Sequence, residues 1–251
     1  RARHTLAVLL KSDPGNVPAV QLLVEVSQRL GDSRLEQAAL KRLLVLAPDS
    51  ATVQNNAGRQ LVQLARQQLA VVSGELPRSW QQARTSDLTH EEASRPSGTI
   101  THAAHSEPAD SPQTRALDAS REAEIGLTAL RHAVQLEPRN TEFIQSLFGA
   151  LLENGRSDEA AIVLRDALQT NPRDRVLPMV AARFHESRGN EAAAIESYDL
   201  ALANAPGNRI WHRQRGMCHY RNGNFKQAAA DLNVALTRSP VQPQMAEFQA
   251  W

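Results

Sequence analysis

Apolar residues recur along this chain at helical rather than strand spacing. From Phe225 onward they stand at Phe225, Ala228, Leu232, Ala235 and Leu236, steps that gather them on one face of a helix. The same stripe occurs earlier at Ala194, Tyr198, Ala201 and Leu202, and again at Ala160, Leu164, Ala167 and Leu168. Near the start it reads Leu40, Leu43 and Leu44. Runs of Val, Ile, Thr and aromatic residues with period-two alternation are missing, so no sheet is predicted. An all-α chain of short amphipathic helices follows.

Helix breakers mark off these segments at a fixed interval. Pro138, Pro172, Pro206 and Pro240 are evenly spaced, and the step from Pro14 to Pro48 is the same size. The gap from Pro48 to Pro138 is more than twice that step, so one unit carries an insertion. Gly31, Gly155, Gly189 and Gly223 fall between the two helices of their units, where a helix ends most cheaply with positive φ. Ala160, Ala194 and Ala228 predict close contact between the paired helices, with Glu36 in that place in the first unit. Gly216 predicts a close helix–helix approach in the last.

The units are placed at 17–50, 51–140, 141–174, 175–208 and 209–242. Residues 1–16 read as a second helix without its first, and 243–251 as the opening of a further helix. The array thus divides into 17–72, which holds repeat 1 and the first helix of repeat 2, and 116–242, which holds the rest. Between them lies 73–115. This stretch is rich in Ser, Thr and Pro, and only Leu76, Trp80, Leu88 and Ile100 are sizeable hydrophobes. It is expected to be disordered, because it buries too little to offset its ordering entropy. Periodicity returns at Leu117, with Ile125, Leu127, Leu130, Val134 and Leu136 forming the missing helix.

A helix–turn–helix unit of about 34 residues with these Gly, Ala and Pro positions resembles the tetratricopeptide repeat family. The resemblance covers nearly the whole chain outside the insertion. It implies a right-handed α-α superhelix, or solenoid, that binds a protein or peptide in a concave groove lined by the first helix of each unit. Carried over position by position, the groove residues are Gln21, Leu22 and Glu25; Asn55, Asn56 and Arg59; and Gln145, Ser146 and Gly149. The last two units supply Met179, Val180 and Arg183, then Arg213, Gln214 and Met217, extended by Tyr220 and Arg221. Amides suit a peptide backbone and arginines suit carboxylates, so an acidic or C-terminal segment is the expected ligand. Glu186 is expected near Arg183 and Arg213, partly neutralising them. The family's chaperone-binding members hold a C-terminal carboxylate with Lys and Asn. Here Gln21 and Glu25 stand in those places, and Met217 replaces an Asn, so that clamp is incomplete.

Composition narrows the alternatives. Apolar residues make up 41% and charged residues 22%, and the formal net charge of +1 gives no global field for nucleic acid or an anionic membrane. No apolar run is long enough to span a bilayer. A single cysteine, Cys218, excludes an intrachain disulfide. His185 and His219 are one repeat apart and read as packing residues rather than metal ligands. His102, His105 and Glu107 form half a site on a stretch with no helix to hold it. Nucleotide-binding, nucleophile-elbow and zinc-protease motifs are missing, so no catalytic residue, metal or cofactor is expected. The reading is an interaction scaffold belonging to a longer chain, with compartment left open between cytoplasm and periplasm. A regulatory or substrate-presenting arm of a larger enzyme, such as a transferase, is the alternative, and homo-oligomerisation is compatible with both.

Overall fold

The computed structural model describes residues 2–75 and 111–237, and among these every regular element is a helix. The order is α1 (Ala2–Ser12), α2 (Val17–Leu30), α3 (Ser33–Leu46), α4 (Ala51–Glu75) and α5 (Pro112–Leu136). It continues with α6 (Thr141–Glu153), α7 (Ser157–Thr170), α8 (Leu177–Ser187), α9 (Glu191–Asn204), α10 (Arg209–Arg221) and α11 (Phe225–Thr237). The chain divides into two compact units, Arg1–Glu137 and Pro138–Trp251. In each, a helix packs against the next in sequence, which is the pairing that helix–turn–helix repeats require. The four turn glycines all have φ between 68° and 79°, where a side chain would be strained.

A second signature with the same period starts the first helices. Asn16, Asn140, Asp174 and Asn208 each accept hydrogen bonds from backbone N–H groups in the helix they precede, supplying partners that a helix N-terminus lacks. Asp174 also accepts from the Thr141 hydroxyl. Burial by itself would raise the Asp174 pKa; the Thr141, Leu177 and Val176 hydrogen bonds outweigh it and hold the carboxyl below its usual range.

In the first unit, Val20, Val24, Leu40, Leu43, Leu61 and Leu64 form a buried cluster shared by α2, α3 and α4. Glu36, at the position expected to be small, is buried at 8% exposure and is satisfied by the Gln28 amide, which donates to its Oε1 at 2.9 Å. Helices α4 and α5 are both long, so they run into the expected insertion from both sides. Ser73–Glu75 and Pro112–Arg115 are helical, because Val72 is buried on α4 and Ser111 caps α5 with Pro112 in its first turn. The expected disorder of the remaining stretch, 76–110, lies outside the described residues, as do Trp80, His102, His105, Glu107 and Trp251.

The apolar stripes needed two corrections. On α5 the buried positions are Ala119, Ala123, Gly126, Leu127, Ala129, Leu130 and Ala133, while Leu117, Ile125 and Leu136 are exposed. Small side chains face inward there because α4 and α5 cross closely at Gly58 and Gly126. On α11, Ala228 and Ala235 are buried but Phe225 and Leu236 are each 64% exposed. Leu202, one period earlier, is 5% exposed and belongs to a cluster with Trp211 of the following helix. Leu236 has no described helix beyond it to play that part.

Candidate interaction surface

The expected groove residues lie on the first helices α2, α4, α6, α8 and α10. Gln21, Glu25, Asn56, Arg59, Gln145, Arg183 and Arg213 are exposed, and Gln214 is half-buried. Asn55 corrects the expectation: it is fully buried, with its Oδ1 unpartnered among the described residues. Its position is therefore inside the packing of the first unit, not on an open surface. Arg183 and Arg213 form no hydrogen bond or ion pair with any described residue, so their guanidinium groups face solvent. Arg221 is different. Its Nε donates to Glu191 at 2.6 Å and its Nη2 to Glu186 at 2.7 Å.

Glu186 does not neutralise Arg183 and Arg213 by pairing with either. Its carboxylate is instead occupied at the centre of a cluster contributed by α8, α9 and α10. Tyr198 donates to Oε2 at 3.0 Å, and the Cys218 thiol and Arg221 converge on Oε1. Burial, reinforced by the neighbouring Glu186 carboxylate, pushes the Cys218 thiol and the Tyr198 phenol well above their ordinary ranges. A thiol held protonated in this way is a buried packing group rather than a nucleophile.

A second polar cluster, which sequence reasoning missed, joins α10 to α11 and α9. Asp231, 5% exposed, accepts Arg215 Nε at 2.7 Å and Arg215 Nη2 at 2.6 Å. His212 Nδ1 lies 2.9 Å from the same carboxylate, His219 Nε2 lies 4.0 Å away, and Arg215 reaches on to Asp199. Burial would raise the Asp231 pKa; the hydrogen bonds from Arg215 and His212 overcome it and hold the carboxyl low. The signal was present in the sequence: His212, Arg215 and His219 recur at the i, i+3, i+7 spacing of an inward face, where apolar residues are the rule. His219 by itself reads only as a packing residue, and the cluster goes unseen because Asp231, the shared partner, lies on another helix.

The first unit has a feature without a counterpart in the repeat pattern. Because α4 and α5 outrun their neighbours, a cleft of about 680 Å³ opens beside them, walled by Arg34, Gln37, Gln67, Gln68, Asp118 and Glu122. Lys41 pairs with Glu122 at its edge. Among the described residues no three His, Cys, Asp or Glu side chains are grouped to hold a metal, and no helix is long and apolar enough to cross a membrane.

With paired helices, constant spacing and turn glycines in place, the sequence of residues 146–209 and 185–243 matches the profile of the tetratricopeptide repeat. Over those residues the chain is built of tetratricopeptide repeats. Two curated relatives of this repeat protein are each 30% identical to it over part of their length. The antiviral innate immune response effector IFIT1 of Macaca fascicularis matches over 96 residues, 38% of this chain and 20% of that protein. Interferon-induced protein with tetratricopeptide repeats 3 of Mus musculus matches over 105 residues, 42% of this chain and 26% of that protein. These matches thus span between a fifth and about a quarter of the relatives' lengths. The crystal structure of MamA protein aligns over 93% of this chain and 95% of that chain, with a TM-score of 0.51 and 14% identity, a likeness of fold.

Proposed function

We propose that this chain is a protein- or peptide-binding scaffold whose ligand lies on first-helix faces of the second unit, among Gln145, Arg183, Arg213 and Gln214, while Gln21, Glu25, Asn56 and Arg59 form a face of their own in the first unit. The observation that carries the reading is the division among the arginines of the second unit. Arg215 and Arg221 are consumed by internal carboxylates, whereas Arg183 and Arg213 are exposed and without an ion partner among the described residues. A solvent-facing guanidinium presents a planar fork of donors that matches a carboxylate, so an acidic or C-terminal segment is the favoured ligand.

The test is a peptide array of acidic decapeptides, each made with a free and an amidated C-terminus, probed with the whole chain. For a bound peptide, Arg183→Ala and Arg213→Ala should each weaken affinity by about 1–2 kcal/mol, the range for hydrogen bonds to charged groups. Affinity should also fall as salt rises. Unchanged affinity in both variants, with no salt dependence, places the binding site elsewhere.

A further inference from the structure

Helix α10 turns charged side chains inward beside its buried Trp211 and Cys218. At about 100° per residue, His212, Arg215 and His219 fall on one side of it, turned toward Asp231 with little exposure. Ile210, Arg213, Met217 and Tyr220 gather within an arc of about 80° on the other side. There Ile210 is 61% exposed, Met217 41% and Tyr220 58%. Tyr220 also meets the exposed Phe225 edge-to-face, with ring centroids 5.6 Å apart, which carries the apolar surface onto the start of α11. The helix therefore buries Trp211 and Cys218, neutralises its inward charges internally, and leaves Ile210, Met217 and Tyr220 in water.

That arrangement costs free energy in the isolated chain, since each exposed side chain forgoes burial and the inward face needs a network of ion pairs to hold it. Contiguous apolar surface with an arginine among it is the composition of a binding hot spot, in which Tyr and Arg dominate. We propose that the exposed face of α10 docks a linear peptide segment whose bulky apolar side chains flank a carboxylate, the apolar groups covering Ile210, Met217 and Tyr220 and the carboxylate meeting Arg213. The choice of occupant rests on charge complementarity. Arg213 is the cation within the stripe, it has no ion partner among the described residues, and the adjacent Arg221 already holds Glu186 and Glu191. This inference rests on the scaffold reading above and sharpens it, because it makes apolar contact rather than charge the main source of affinity. Met217 stands where the preceding repeat has Arg183, so the two first helices differ in what they recognise.

The test is selection of a random dodecapeptide display library on the whole chain, followed by titration of the selected peptides against Met217→Gln, Tyr220→Gln, Arg213→Gln and Arg183→Ala. All four side chains are exposed, so the folds should survive, and circular dichroism checks that. The expected result is enrichment of peptides with two bulky apolar residues around an Asp or Glu. Their affinity should fall about tenfold or more in Met217→Gln and Tyr220→Gln, and should change only a few-fold when salt rises. Selection of acidic peptides without apolar anchors, sensitive to Arg183→Ala but not to Met217→Gln or Tyr220→Gln, overturns this inference and leaves the scaffold reading standing. Selection of no peptide at all overturns both.

Discussion

Asp231 is the residue on which the last repeat turns. Its carboxylate takes two hydrogen bonds from Arg215 and one from His212 in a site 5% exposed. Asp231→Ala leaves the Arg215 guanidinium with only Asp199, and breaking one partner of a buried pair typically costs about 3–5 kcal/mol. The expected outcome is a lower urea midpoint and loss of hydrogen-exchange protection centred on α10 and α11. The pH dependence follows from the same carboxyl. Because the folded pKa of Asp231 lies below its unfolded value, its contribution is fully present above the unfolded value and is lost as pH falls through the folded one. Asp174 acts in the same direction at the start of α8. Urea melts of the wild type between about pH 5 and 2 should therefore show falling stability, with a shallower slope in Asp231→Asn. An identical slope in that variant removes Asp231 from the account.

Among the elements, α4 and α5 show how closely two helices can approach when both crossing positions are glycine. A Cβ built on Gly126 would stand 2.7 Å from the Gly58 carbonyl oxygen, and one on Gly58 would stand 2.8 Å from the Gly126 oxygen. Backbone blocks both, so Gly126→Ala must push the helices apart, at about 1–3 kcal/mol. At Gly216 a new Cβ meets the Leu232 side chain at 3.1 Å, Asp231 Cβ at 3.2 Å and the Ala228 carbonyl oxygen at 3.3 Å, all farther off than the backbone oxygens at the α4–α5 crossing. Gly216→Ala should therefore lower the thermal midpoint less than Gly126→Ala, and the reverse order would mean the crossing is looser than described. The ends of the same pair are also testable. Replacing 76–110 with a Gly/Ser linker should preserve helicity, whereas replacing 73–115 removes the Ser111 cap and the first turn of α5 and should lower the midpoint. Equal midpoints would show that this turn contributes nothing.

For the whole molecule, stability in a repeat array is a sum of unit and neighbour terms, so damage stays local. Gly216→Leu should abolish protection in α10 and α11 and spare α6 and α7 within Pro138–Trp251; uniform loss across that unit would count against a nearest-neighbour array. The repeat and its period were legible in the sequence because they are local: a proline, a glycine and a helical stripe recur at a constant interval, and each acts on the backbone near it. Exposure of Arg183 and Arg213 was legible for the same reason, as a position in a repeated helix. The partners were not. Whether His212, Arg215 and His219 face water or a carboxylate depends on Asp231, which lies several helical turns further along the chain on a different helix. Whether Leu236 is buried depends on what packs beyond α11, and whether Asn55 lies inside or outside depends on how its neighbours close around it. Helical periodicity determines which residues share a face. Only the tertiary packing decides what that face meets, because burial and ion pairing are properties of two surfaces brought together rather than of either sequence segment alone.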